Sequence, residues 1–342
     1  MTVVALGELL LRLKAPGHER LLQSDALEAS IGGPEANVIS ALASDGVASS
    51  FISTVPPGPL GDAAITELRR FGVDVSRVSR GPGRLGLYYL EAGAGPRPAR
   101  VVYDRERTSL SIAEPSTFDW PRLLEGEQRL HVSGITPALS ATSAQITLEA
   151  VRCAREMGLI VSVDFNYRPA LWRWGRAPTE IMPDIIAEAH IGIAGRDDIQ
   201  KMLGIPLGGD SRAREPDVES FVALAAEVLK RFPRLEMQVI TLRETVSASH
   251  NFWSAILCTR EAIHRSRRWE IADIVDHLGA RDAFSAGLLY ALATYGDKHQ
   301  HALEFATAAS CLKHTIPGDV NRVRASEVEA LLASDKTGRA RR

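Results

Sequence analysis

From Leu130 onward the chain alternates short β-rich runs with segments of helical period, and few folds accommodate that alternation. The run Leu130-His131-Val132-Ser133-Gly134 precedes a helical pattern over Ala141–Met157, which leads into Leu159-Ile160-Val161-Ser162-Val163-Asp164. Further strand-like runs are Ala189–Ile193 and Met237–Leu242, with helical segments around Pro178–Glu188 and Val218–Arg231. Repeated strand, helix and strand is how βαβ units read. Runs this apolar suit parallel strands covered on both faces. The expected class is α/β: a doubly wound, mostly parallel central sheet flanked by helices.

The first hundred residues follow a different pattern. Thr2-Val3-Val4-Ala5-Leu6 reads as a buried first strand, and helices are expected near Ala36–Ser44 and Ala63–Phe71. Two β-rich runs follow, Gly86–Glu91 and Arg100–Arg105, separated by the turn-rich Ala92-Gly93-Ala94-Gly95-Pro96. That spacing predicts an antiparallel ribbon. A ribbon beside a doubly wound core would make a lid over a cleft. At 342 residues the chain is long for one domain, yet α/β folds reach this length as a unit with a small appendage. One domain over 1–334 is expected, with a β lid built from about 9–31 and 85–107 and a flexible tail over 335–342.

Charge narrows the partners. A formal net charge of -2 supplies no field for nucleic acid or an anionic membrane, so an anionic ligand must be held by a local basic cluster. The apolar N-terminal run meets Glu8, Arg12 and Lys14 too soon for a signal peptide or membrane span. Cys153, Cys258 and Cys311 are far apart and show no metal-ligand spacing, which fits a reducing, cytoplasmic setting.

The segment Gly279-Ala280-Arg281-Asp282-Ala283-Phe284 carries the clearest chemistry. Phe284, Leu288 and Leu292 recur at helical spacing, so a helix is expected to begin at or just after Asp282. A glycine-led turn into a helix start offers unpaired N–H donors and a positive dipole end to a phosphate. At that junction Asp282 is either a general base for an attacking hydroxyl or a helix N-cap. Near the N-terminus, Gly32-Gly33-Pro34-Glu35-Ala36-Asn37 is either a plain turn or a place where backbone approaches a ligand, with Asn37 offering an amide to hydroxyls.

These two segments, with Gly46 and Pro59-Leu60-Gly61-Asp62, resemble the paired signatures of the ribokinase-like (pfkB) carbohydrate kinases. The resemblance spans about Val4 to Leu331 and implies the ribokinase-like fold, with Gly279, Ala280 and Arg281 at an anion hole and Asp282 as base. Leu85–Glu91, Val101–Arg105 and Val163–Pro169 are similar to the branch that phosphorylates 2-keto-3-deoxygluconate. By that likeness Gly33, Asn37, Tyr89, Tyr103, Arg105 and Arg168 contact a sugar acid. An Arg fork suits a carboxylate. The likeness of Thr241–Asn251 and Ala308–Gly318 implies that Leu242, Arg243, Gly279 and Ala309 line the nucleotide pocket. Asp276 matches a position that helps hold a potassium-like cation. ATP, Mg²⁺ and potentially K⁺ are thus the implied cofactors, and a homodimer or higher homo-oligomer is expected from the exposed lid edges.

One residue departs from the pattern: Arg281 stands where these kinases carry glycine. Three outcomes are physical. The side chain obstructs or strains the turn and weakens catalysis, leaving a ligand-binding relative. It reaches the transferred phosphoryl group and stabilises charge. Or it turns away, to solvent or an acid, and leaves the hole intact. A kinase of another sugar is the remaining alternative.

Overall fold

The computed structural model describes residues 1–195, 197–206 and 218–334; the tail expected over 335–342 lies outside them. In chain order the strands are β1 (Thr2–Leu6), β2 (Leu10–Lys14), β3 (Glu28–Gly32), β4 (Ala48–Val55), β5 (Val78–Arg80), β6 (Gly86–Glu91), β7 (Arg100–Asp104), β8 (Arg129–Ser133), β9 (Ile160–Asp164), β10 (Ile191–Gly195), β11 (Met237–Ser247), β12 (His250–Thr259), β13 (Ile263–Arg265) and β14 (Trp269–Ile271). The helices are α1 (Pro34–Ser44), α2 (Pro59–Arg70), α3 (Trp120–Leu123), α4 (Ala141–Glu156), α5 (Pro178–Ile186), α6 (Asp198–Leu203), α7 (Val218–Arg231), α8 (Ala280–Tyr295), α9 (His299–Lys313) and α10 (Ala325–Leu332).

The large sheet runs β13-β12-β11-β10-β9-β8-β1-β4-β5, with β14 also paired to β12. From β11 to β5 every neighbour is parallel, and β12 adds an antiparallel edge. Alternation along β1 shows why both faces must be covered. Val3 and Ala5 enter one core with residues of α1, α8 and α9, whereas Val4 and Leu6 enter another with residues of α4, α5 and α7. This is the ribokinase-like α/β architecture, a mostly parallel sheet sandwiched by helices.

A second sheet, β3-β2-β6-β7, is the lid. Its outer pairs are antiparallel and β2·β6 is parallel. Tyr88 faces Tyr103 and Leu90 faces Val101 across the ribbon. With Leu10 these side chains form a small apolar cluster that also takes in Leu278, just before α8, so the lid is packed onto the loop that opens that helix.

Two boundaries differ from the sequence reading. Helix α8 begins at Ala280, with Gly279 as a left-handed N-cap, two residues earlier than expected. Strand β11 runs on to Ser247 and returns antiparallel in β12; its distal arm is largely polar, so no apolar run announced it.

Candidate active site

The carboxyl ends of β9 and β10 and the middle of β11 meet the N-termini of α1 and α8 beneath the lid, around a cleft of about 450 Å³. Gly33, Asn37, Tyr103, Arg105, Arg168, Arg243 and the whole run from Gly279 to Asp282 line it. Sequence-distant segments expected to act together are thus brought together.

Gly279 has φ +75°, and a Cβ there would lie 1.8 Å from the Asp319 carbonyl oxygen. No other residue fits that turn. Ala280 N donates to the His277 carbonyl at 3.4 Å, whereas the amides of Arg281 and Asp282 have no carbonyl one turn back in the helix, and a helix start of this kind can offer donors to an anion. Gly33 plays the matching part at α1, with φ +141° and a would-be Cβ 2.2 Å from the Glu8 carbonyl.

Asp282 is the third residue of α8 and makes no cap to its own helix. Its Oδ2 instead accepts from Asn37 Nδ2 at 2.7 Å, joining the starts of α8 and α1. Burial pushes its pKa up to about 7, against the lowering effect of the Asn37 bond. Such a carboxylate is poised to take a proton near neutrality.

The Arg281 side chain is paired with two acids at the wall of the cleft. Its guanidinium lies 2.5 Å from Asp198 Oδ2 and also pairs with Asp164, at the carboxyl end of β9. Gly195 leaves the room: a Cβ there would stand 3.0 Å from Arg281 Nη1. Burial opposes the guanidinium's charge, but the two carboxylates hold its pKa above the ordinary value. Asp164 itself is pushed up to about 6 by burial, partly offset by Arg281.

Other cations in the cleft are less engaged. Among the described residues neither Arg168 nor Arg243 has a carboxylate within ion-pair reach. The enclosing walls, then the charge of Arg168, lower the Arg243 pKa. Two like charges facing one space favour an anion between them. Arg105 differs, since it is buried and bound to Glu8 at 2.6 Å.

Three expected contacts are placed elsewhere. Side chains alternate along a strand, so Tyr88 enters the cleft from β6 and Tyr89 leaves from the opposite face. The same parity sends Thr241 and Arg243 to the cleft and Leu242 into the core. Ala309 is buried in α9 with its Cβ against Gly287 of α8, away from the cleft.

The structure adds residues the sequence reading did not assign. Asn166 lines the cleft at 1% exposure with a left-handed φ of 39°, and among the described residues neither atom of its amide has a partner. A buried unsatisfied amide aimed into a cleft is available to a ligand. Its signal was a lone Asn between Asp164 and Arg168. Asp319 and Tyr88 also line the cleft; Asp319 accepts from the Tyr88 hydroxyl and from Arg12, whose other nitrogen lies 2.5 Å from Asp276. This buried network ties lid strands β2 and β6 to the loop before α8.

Comparison with known proteins agrees with this geometry. The family described as pfkB family carbohydrate kinase matches residues 2–324. A 2-dehydro-3-deoxygalactonokinase of Haloferax volcanii is 31% identical over 336 residues, covering 98% of each chain. A 2-dehydro-3-deoxygluconokinase of Thermoproteus tenax is 29% identical, covering 93% of this chain and 90% of its own. The crystal structure of 2-dehydro-3-deoxygluconokinase from Thermotoga maritima superposes with a TM-score of 0.91 at 41% identity, covering 98% of both chains. Among the described residues no helix is long and apolar enough to cross a membrane.

Proposed function

The chain belongs to the pfkB family of carbohydrate kinases, and from that premise we propose that it phosphorylates a 2-keto-3-deoxy sugar acid, 2-keto-3-deoxygluconate, with ATP. The observation that carries this reading is the position of Asp282. It is held by Asn37 at 2.7 Å, beside a helix start built to receive a phosphate and across a cleft from Arg168 and Arg243.

In the proposed step the primary hydroxyl of the sugar acid gives its proton to the Asp282 carboxylate as its oxygen attacks the γ-phosphorus. The new O–P bond forms, the bridging bond to the β-phosphate breaks, and ADP leaves. The products are 2-keto-3-deoxy-6-phosphogluconate and ADP. The α8 amides receive the charge that develops on the transferred group, an arrangement worth most where water is excluded. In this reading Arg168 grips the acid's carboxylate, Tyr103 and Asn166 bond its hydroxyl and oxo groups, and Arg243 meets the nucleotide phosphates; their shared lining of one cleft supports it. Arg281 supports this active reading, because its guanidinium is engaged by Asp164 and Asp198 while its backbone amide stays in the turn.

Protein-held Mg²⁺ does not fit these residues. Asp198 accepts from Tyr167 N at 3.3 Å, Gly195 N at 2.7 Å and Arg281, and Asp164 is paired with the same guanidinium. Magnesium would therefore arrive on the nucleotide.

An ADP-release assay across 2-keto-3-deoxygluconate, its galactonate epimer, ribose, fructose and nucleosides tests the reading. Turnover should be confined to the two acids. Preference for a neutral sugar would remove the role given to Arg168.

A further inference from the structure

The sequence resemblance placed a potassium-like cation at Asp276, and the residues there do not suit a free ion. A bound monovalent cation needs several oxygen lone pairs turned toward one point. Every oxygen of Asp276 is turned toward an N–H instead. Its Oδ2 accepts from Arg12 at 2.5 Å and from Gly318 N at 3.1 Å, and its Oδ1 accepts from Leu278 N at 3.1 Å. Its main-chain oxygen accepts from Lys313 Nζ at 3.3 Å.

Lys313 is the last residue of α9 and is 0% exposed. A lysine so deep in a fold is rare unless paired. Its ammonium has a second acceptor, the Ile316 carbonyl at 3.1 Å. The Ile316 contact by itself would be an ordinary lysine at a helix C-terminus. The Asp276 contact is different, because Asp276 lies 37 residues away in sequence and opens the short segment that ends at Gly279. Burial lowers the Lys313 pKa, and the charges of Asp276, Asp319 and Asp282 partly offset that, with Arg12 opposing them.

We propose that the Lys313 ammonium is a built-in cation that takes the place of a free monovalent ion, pinning the Asp276–Gly279 segment so that the α8 amides are correctly aimed. Lys313 is a positioning residue: it touches neither substrate nor phosphate, and acts through the Asp276 carbonyl. The inference rests on the kinase reading above, and its test separates the two.

The parent, Lys313→Ala and Lys313→Met are compared in KCl, NH₄Cl, NaCl and tetramethylammonium chloride at equal ionic strength. ADP release and thermal melting are both followed. Parent kcat and KM for ATP should change by less than about twofold among the salts. The alanine variant should lose on the order of tenfold or more in kcat through a misaimed hole. K⁺ and NH₄⁺, small enough to enter the vacated space, should recover part of that loss and raise its melting point, whereas tetramethylammonium should do neither.

A parent stimulated severalfold by K⁺ overturns the proposal, as does a folded alanine variant with parental rates. So does a variant whose rate and melting point ignore the salt, since Lys313 would then be packing only. If the parent turns over no sugar, the kinase reading fails separately. The melting arm still decides: K⁺ raising the melting point of the variant alone supports a built-in cation, and any other pattern contradicts it. Lys313→Met keeps the volume of the stem should the alanine variant fail to fold. Should neither fold, the salt response of the parent decides alone, indifference supporting the proposal and K⁺-specific stimulation contradicting it.

Discussion

Arg281 Nη1 stands 2.5 Å from Asp198 Oδ2, so the side chain that departs from the family's glycine is committed to an internal ion pair at the carboxyl end of the central strands. The same guanidinium pairs with Asp164, which is 2% exposed. Removing it leaves two buried carboxylates without their cation. Arg281→Ala and Arg281→Gly should therefore destabilise the fold by about 3–5 kcal/mol in denaturant melts, the usual cost of breaking a buried pair. Neither variant should exceed the parent in kcat. A glycine variant that turned over faster would mean that the arginine obstructs the anion hole after all.

The pH profile follows from Asp282. Burial pushes its pKa up to about 7, and only the ionised form accepts a proton. With the sugar acid at low concentration, kcat/KM should climb as pH rises through about 7 and level off above it. A profile flat from mildly acid to mildly alkaline buffer would remove Asp282 as the base.

The same carboxyl bears on stability, with the opposite sign. Its folded pKa of about 7 lies above its ordinary value of 3.8, so the stability it contributes is complete at low pH and lost as pH rises through about 7. Asp282→Asn keeps the size and removes the charge. At pH 8 the variant should melt roughly 2 °C or more above the parent, and the gap should shrink toward pH 5. Calorimetry at the two pH values checks this.

On the proposed reading, Arg168 and Arg243, which among the described residues have no carboxylate within ion-pair reach, divide the ligands. Arg168→Ala should raise KM for the sugar acid about tenfold or more and leave KM for ATP within about twofold; Arg243→Ala should do the reverse. Lysine should rescue neither fully, because it cannot present a planar fork. Steady-state kinetics varying each substrate in turn separates the two.

Much of the layout was legible because hydrophobic period and burial coincide. The helical pattern at Val218–Arg231 is α7, and the runs at Gly86–Glu91 and Arg100–Arg105 form the ribbon of β6 and β7. Asp282, Asn37, Arg168 and Arg243 converge on one cleft as their motifs implied. What stayed hidden was parity and distance. A tyrosine pair cannot announce which member faces a cleft, so Tyr88 and Tyr89 exchange places, and Leu242 turns inward for the same reason. Nor does local pattern reveal that Arg12 meets Asp276, 264 residues away, and Asp319, 307 residues away. The early start of α8 depended on the left-handed turn at Gly279, which lies outside any apolar periodicity.

The most direct test compares the parent with Asp282→Asn for ADP release from ATP and 2-keto-3-deoxygluconate, with melting curves in parallel. The parent should turn over, and the variant should stay folded, still be stabilised by ligand, and lose on the order of 10²–10⁴ in kcat. A variant that released ADP at the parental rate, or a folded parent that released none with either epimer, would contradict the account.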